Sequence, residues 1–157
     1  MAFQHLIPDN WCWGCGSLNR AGLHLESDWE GETAVATWSP HPDHAAGPRH
    51  LVNGGIIATV LDCHGICTAV ADAYRREGRE IGTGAEIWYA TASLRVDYLR
   101  PTPIEAALHL TATVTDRDDR RTTVACGLVA AGKERARAVV EAVRVPAEWK
   151  HGAAPPR

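Results

Sequence analysis

Asp62 is the first residue of this chain whose type and setting point to chemistry. It interrupts the long apolar stretch from Ile56 to Ala73, and a carboxylate among aliphatic side chains is costly unless it is paired or functional. Such a group can activate water as a general base or attack an acyl carbonyl itself. Its structural alternatives are an ion pair with an arginine such as Arg95, or capping a neighbouring loop. Nine residues upstream, Asn53-Gly54-Gly55 opens a helical pattern with a good N-cap residue. Free backbone N–H groups at a helix N-terminus, with the dipole behind them, stabilise developing negative charge. The two glycines leave room for a substrate to approach the backbone, or else serve close packing of helix on sheet.

The cysteines and histidines offer other chemistries. Five cysteines (Cys12, Cys15, Cys63, Cys67 and Cys126) cannot all pair within one chain. Cys12-Trp13-Gly14-Cys15 has the spacing of a metal or redox site, and Cys63, His64 and Cys67 are further ligand types. Zinc needs four such groups converging on one point, and no second CxxC is present. A redox CxxC should follow a strand and open a helix, whereas 16–22 reads as loop. Structural thiols, and no metal or cofactor, are therefore expected. His64 follows Asp62 by two residues, about 200° round a helix, and should not reach the same substrate atom. His50 reads as a solvated loop histidine.

The elements that must hold these residues follow from periodicity. Alternation at Leu23 and Leu25, and again at Ala34, Ala36 and Trp38, flanks the turn residues Trp29-Glu30-Gly31-Glu32 and predicts a β-hairpin. Ile57, Val60, Leu61, His64, Thr68 and Ala71 recur at helical spacing. That helix starts at Asn53, carries Arg75 and Arg76 near its C-terminus, stops at Gly78, and spans about 34 Å. A strand follows with Ala92, Leu94, Val96 and Tyr98 on one face and Thr91, Ser93, Arg95 and Asp97 on the other. Three more strands, around Leu108–Val114, Thr122–Val129 and Ala136–Val145, complete an antiparallel α+β pattern. Residues 1–22 read as an irregular lead-in, 23–149 as the domain, and 150–157 as a disordered tail.

At 157 residues and a net charge of -3, the chain fits one domain and has no global basic field to draw it to nucleic acid or anionic membrane. The ionisable residues within the apolar run argue against a membrane span. No cationic segment followed by an apolar run opens the chain, so a cytoplasmic protein with reduced thiols is expected.

The order of elements resembles the hotdog fold, a curved antiparallel sheet wrapped around one long helix. Three local patterns sharpen the likeness: Cys12-Trp-Gly-Cys-Gly16 with Asn19, Gly22 and Leu23; Asn53-Gly54-Gly55 followed by Asp62; and Thr91 to Pro101 ending in Arg100-Pro101. They are similar to those of phenylacetate-pathway (PaaI-like) acyl-CoA thioesterases within the 4-hydroxybenzoyl-CoA thioesterase superfamily. The resemblance implies hydrolysis of an acyl-CoA thioester, with Asp62 as base or nucleophile and the Gly54 N–H on the thioester oxygen. Gly55 would lie against substrate, and Thr91 would orient water. Asn53 stands where the family usually has His. The family also implies a homodimer or dimer of dimers, with the glycine end and the carboxylate of each site coming from different subunits. A non-hydrolytic acyl-CoA-binding or hydratase-type protein is the alternative within this fold. A metal-binding or redox regulator built on Cys12, Cys15, Cys63 and Cys67 is the alternative outside it.

Overall fold

Gly31, with a φ of 63°, takes the left-handed turn conformation that glycine adopts without strain, and around it the first hairpin forms. The structure, a computed structural model, describes residues 1–152. In it β1 (Ser27–Glu30) and β2 (Thr33–Trp38) pair antiparallel, with Ser27 opposite Ala36. Leu23 and Leu25, expected within the first strand, precede it. Both are buried, but their N–H groups bond the carbonyls of Trp13 and Gly14, at 2.8 and 3.1 Å. They are held by the Cys12–Cys15 turn instead of by the sheet.

Within the segment read as irregular, Phe3–Leu6 forms one short helix, α1. The long helix α2 (Gly54–Arg76) has the expected limits. Asn53 caps it by accepting from the Gly55 N–H at 2.7 Å, a contact that stabilises a helix by about 1 kcal/mol. It ends where Gly78 turns left-handed: the Gly78 N–H bonds Arg75 O and the Arg79 N–H bonds Tyr74 O, both at 3.0 Å, satisfying the last carbonyls.

Four strands follow, β3 (Trp88–Tyr98), β4 (Leu108–Arg117), β5 (Arg121–Ala130) and β6 (Lys133–Val145). They complete a six-stranded antiparallel sheet in the order β1-β2-β4-β5-β6-β3, leaving β1 and β3 as edges. Helix α2 packs against all six strands. By length and apolar content α2 meets the composition of a membrane-crossing helix, and its burial beneath the sheet accounts for that apolarity. Gly65 lets helix and sheet approach closely, since a Cβ there would stand 2.6 Å from a Val140 methyl.

One register detail alters the expected faces of β3. The ladder with β6 shifts between Thr91 and Ser93, so Thr91 pairs with Ala142 and Leu94 with Val140. Ala142 and Val140 are fully buried, which places Thr91 on the helix side together with Leu94, Val96 and Tyr98. A strict two-residue period assigns Thr91 to the opposite face; the extra residue of the bulge reverses it. At the C-terminus, residues 147–151 form a 3-10 turn, and Lys150 pairs with Glu86 and Asp9. The expected tail thus begins inside an ordered turn, and its residues 153–157 lie outside the described residues.

Candidate active site

Asp62 lies half-buried on the face of α2 that looks toward β3. The Thr91 hydroxyl, brought inward by the bulge, donates to Asp62 Oδ1 at 2.8 Å. Among the described residues no cation pairs with this carboxylate, and Arg95 reaches Asp97 at 3.3 Å. Burial pushes the Asp62 carboxyl above the usual carboxylate range, while the Thr91 hydrogen bond works in the opposite direction. Both residues line a cavity of about 400 Å³ together with Cys12, Cys15, Ile66 and Trp88. A carboxylate held by one hydroxyl, unpaired by charge and open to a cavity, is arranged to take a proton from a bound molecule.

The start of α2 forms the second half of the candidate site. Asn53 Oδ1 occupies the Gly55 N–H, and among the described residues no acceptor takes the N–H of Gly54. Tyr98 Oη donates to the Gly54 carbonyl at 2.6 Å and fixes the first turn from β3. A Cβ on Gly54 would meet only the Tyr98 ring, at 3.5 Å, which is ordinary contact. Packing within the chain therefore does not demand glycine here as it does at Gly65. The cap contact also settles which atom of Asn53 is engaged: its Oδ1 shapes the loop that presents Gly54.

Gly54 and Asp62 are eight residues apart on one helix, about 12 Å along its axis. One reacting carbonyl cannot sit about 3 Å from both within a single chain. Edge strand β3 exposes Leu94 and Tyr98, and Leu99 just beyond it is exposed beside the helix start with Tyr98. Exposed apolar edges of this kind are commonly covered by another strand or subunit.

His64 is excluded from this site, as its angular position predicts. It is fully buried, its Nε2 lies 3.2 Å from Ala34 O and its Nδ1 lies 2.9 Å from Ser27 Oγ. A carbonyl only accepts, so Nε2 carries the proton and Nδ1 accepts from the Ser27 hydroxyl. Gln4 closes the chain by donating to Ser27 Oγ and accepting from the Ser27 N–H. The ring stays neutral, its pKa lowered to about 4 by burial. His50 lies exposed in the loop before α2.

The thiols lie closer together than their positions in the sequence suggest. Cys12, Cys15 and Cys63 bring their sulfurs within 4.8 Å of one another. Cys67 Sγ lies 3.7 Å from Cys15 Sγ. Cys63 and Cys67, named from the sequence as further ligand types, project from one face of the helix as an i,i+4 pair. Cys126 is buried apart from this group, its thiol pushed up to about 12 chiefly by burial.

Neither a protein-family model nor a curated protein matches the chain, but solved structures do. A thioesterase superfamily protein from Shewanella loihica shares 35% identity over 78% of this chain and 91% of its own, with a TM-score of 0.63. The PaaI protein of the E. coli phenylacetic acid degradation operon matches at 17% identity, 78% and 80% coverage, and a TM-score of 0.61. A Streptococcus mutans protein bound to acetyl CoA matches at 14% identity, 78% and 89% coverage, and a TM-score of 0.61. The last two likenesses speak to fold alone, and they agree with the α+β hotdog architecture.

Proposed function

This chain belongs to the thioesterase superfamily, and on that premise we propose that it hydrolyses an acyl-CoA thioester to the free acid and CoA. The observation that carries the reading is Asp62: a half-buried carboxylate hydrogen-bonded by Thr91, with no cation partner among the described residues, on the wall of a cavity. Asp62 acts as general base on water, using the oxygen that Thr91 leaves free, while Thr91 holds the carboxylate and the water in line. The Gly54 N–H, at the positive end of α2, takes the thioester oxygen as charge builds on it. Asn53 holds that N–H in place through its bond to Gly55. Gly55 lies against the substrate beside it.

Because Gly54 and Asp62 of one chain stand about 12 Å apart, each site takes its glycine from one subunit and its carboxylate from a second. A symmetric dimer joined along β3 would give two such sites and cover both apolar edges. The binding of acetyl CoA by the Streptococcus mutans protein supports a CoA ester as the ligand class.

Thiol release from a panel of aliphatic and aromatic acyl-CoAs tests the reaction. Hydrolysis of one class by the wild type, lost in Asp62→Asn, is expected; a folded protein inert on every member returns the fold's non-hydrolytic reading. Mixing subunits tests the shared site. If Gly54→Val and Asp62→Asn are each inactive, their re-equilibrated mixture regains about a quarter of wild-type activity, since half of randomly paired dimers hold one intact site. A mixture as inert as its parents would place both groups on one chain and sink the arrangement.

A further inference from the structure

We propose that Cys12, Cys15, Cys63 and Cys67 form a zinc site that clamps the N-terminal segment onto α2 beside Asp62. The spacing of the sulfurs carries this. Cys12 Sγ and Cys63 Sγ are 3.6 Å apart, and Cys15 Sγ and Cys67 Sγ 3.7 Å. A tetrahedron with zinc–sulfur bonds of about 2.3 Å has sulfur–sulfur edges of about 3.8 Å. Each of these cross pairs joins the turn to the helix. The sulfurs of Cys12, Cys15 and Cys63 lie within 4.8 Å of one another, while Cys67 meets this triad at Cys15. An ion seated on the triad would draw the Cys67 thiol inward as the fourth ligand and be held from both elements.

The scaffold around the sulfurs is built for this convergence. The Cys12–Cys15 turn closes through the Gly16 N–H on Cys12 O at 2.7 Å, and Asn10 Oδ1 accepts from the Cys12 N–H at 3.1 Å. A Cβ on Gly14 would stand 2.3 Å from Cys63 Sγ, and one on Gly16 would stand 2.5 Å from Cys12 N. Gly14 is required for the backbone to pass this close to the helix thiols, and Gly16 for the turn to close on its own backbone. Asn10, itself buried, points its amide toward Cys15 Sγ at 3.9 Å, as groups behind a metal ligand commonly do. Beyond the turn, Leu23 and Leu25 hang from Trp13 O and Gly14 O. With Cys67 drawn onto the triad, four soft sulfur donors would select zinc and leave no open coordination position. The ion is therefore structural: it holds the wall of the cavity that Asp62 faces, and takes no part in the hydrolysis.

Metal analysis of the full chain, purified under reductant without chelator, tests this directly. About one zinc per chain is expected, as for a closed four-thiolate site. Cys15→Ser and Cys67→Ser should lose it, whereas Cys126→Ser and Asp62→Asn should retain it. The Asp62 variant separates the two readings, because it abolishes the proposed hydrolysis and leaves the metal in place. Should the cysteine variants not fold, cobalt(II) titration of chelator-stripped wild type provides a second measurement. One cobalt per chain with thiolate-to-metal charge-transfer absorption is expected. Protein that holds no zinc and gives no such absorption, with Cys12 and Cys63 recovered as a disulfide, would overturn the site, as would zinc content unchanged by both cysteine substitutions.

Discussion

The two faces of α2 treat an ionisable side chain in opposite ways, two residues apart. On one face Asp62 has a single hydroxyl partner and a cavity in front of it. On the other His64 has both ring nitrogens engaged, by Ser27 and by the carbonyl of Ala34, and no exposure at all. A polar group sealed in a satisfied network contributes to stability and to a single packing arrangement. A polar group left partly unsatisfied beside a cavity costs stability and becomes available to a ligand. The difference separates function from structure more sharply than residue type does, since histidine by type is the commoner catalyst.

The largest effect expected from this contrast is on turnover. Asp62→Asn should lower kcat by about 1,000-fold, within the span that a positioned base contributes. The unfolding midpoint of that variant should stay within a degree or two of wild type or rise, because a half-buried charge is removed; a collapse in stability with unchanged kcat in the folded fraction would reverse the two roles. The His64 face should answer to pH instead. Its folded pKa of about 4 lies below its ordinary value of 6.5, so between these pH values the unfolded chain binds a proton that the folded chain refuses. The histidine's contribution is fully present above pH 6.5 and is lost as pH falls toward 4, amounting to about 3 kcal/mol. Denaturant titrations across this range check the slope, and His64→Gln should flatten it.

Two glycines sharpen the same comparison at a smaller scale. Gly65→Ala pushes a methyl against Val140 and should destabilise by about 2 kcal/mol, as overpacking does. Gly54→Ala meets nothing closer than the Tyr98 ring; its midpoint should hold while acyl-CoA turnover falls. Equal losses of stability in the two variants would show that both glycines serve packing. The smallest effect belongs to Thr91→Val, which removes the hydroxyl and keeps the strand residue's shape. About a tenfold loss of kcat is expected, worth about 1.4 kcal/mol. The lost hydrogen bond had lowered the Asp62 pKa, so the acid limb of the pH–rate profile should move to higher pH.

Much of the fold was legible because its signals are local. The 3.6-residue period from Ile57 onward, the cap at Asn53 and the stop at Gly78 bound α2 without reference to any other element. The turn residues after β1, and again before β5 and β6, mark the strands in the same way. Leu23 and Leu25 show where this fails. Alternation placed them in a strand, but the atoms that bond their N–H groups belong to a turn about ten residues upstream, which no local period reveals. Thr91 fails for a related reason: a single bulge residue reverses the face of everything on one side of it.

The residue types and order of this sequence determined a carboxylate within a buried helix, a glycine pair at its start, and a chain of strands to cover it. These follow from propensity and periodicity, which act over a few neighbouring residues. Only the tertiary structure decided that Thr91 meets Asp62, that His64 is sealed by Ser27 and Gln4, and that thiols from two distant segments meet, Cys12 with Cys63 and Cys15 with Cys67. Each of those contacts joins residues more than 20 positions apart. Their geometry depends on how the sheet registers against one helix, a choice made by packing of the whole core and not by any segment alone.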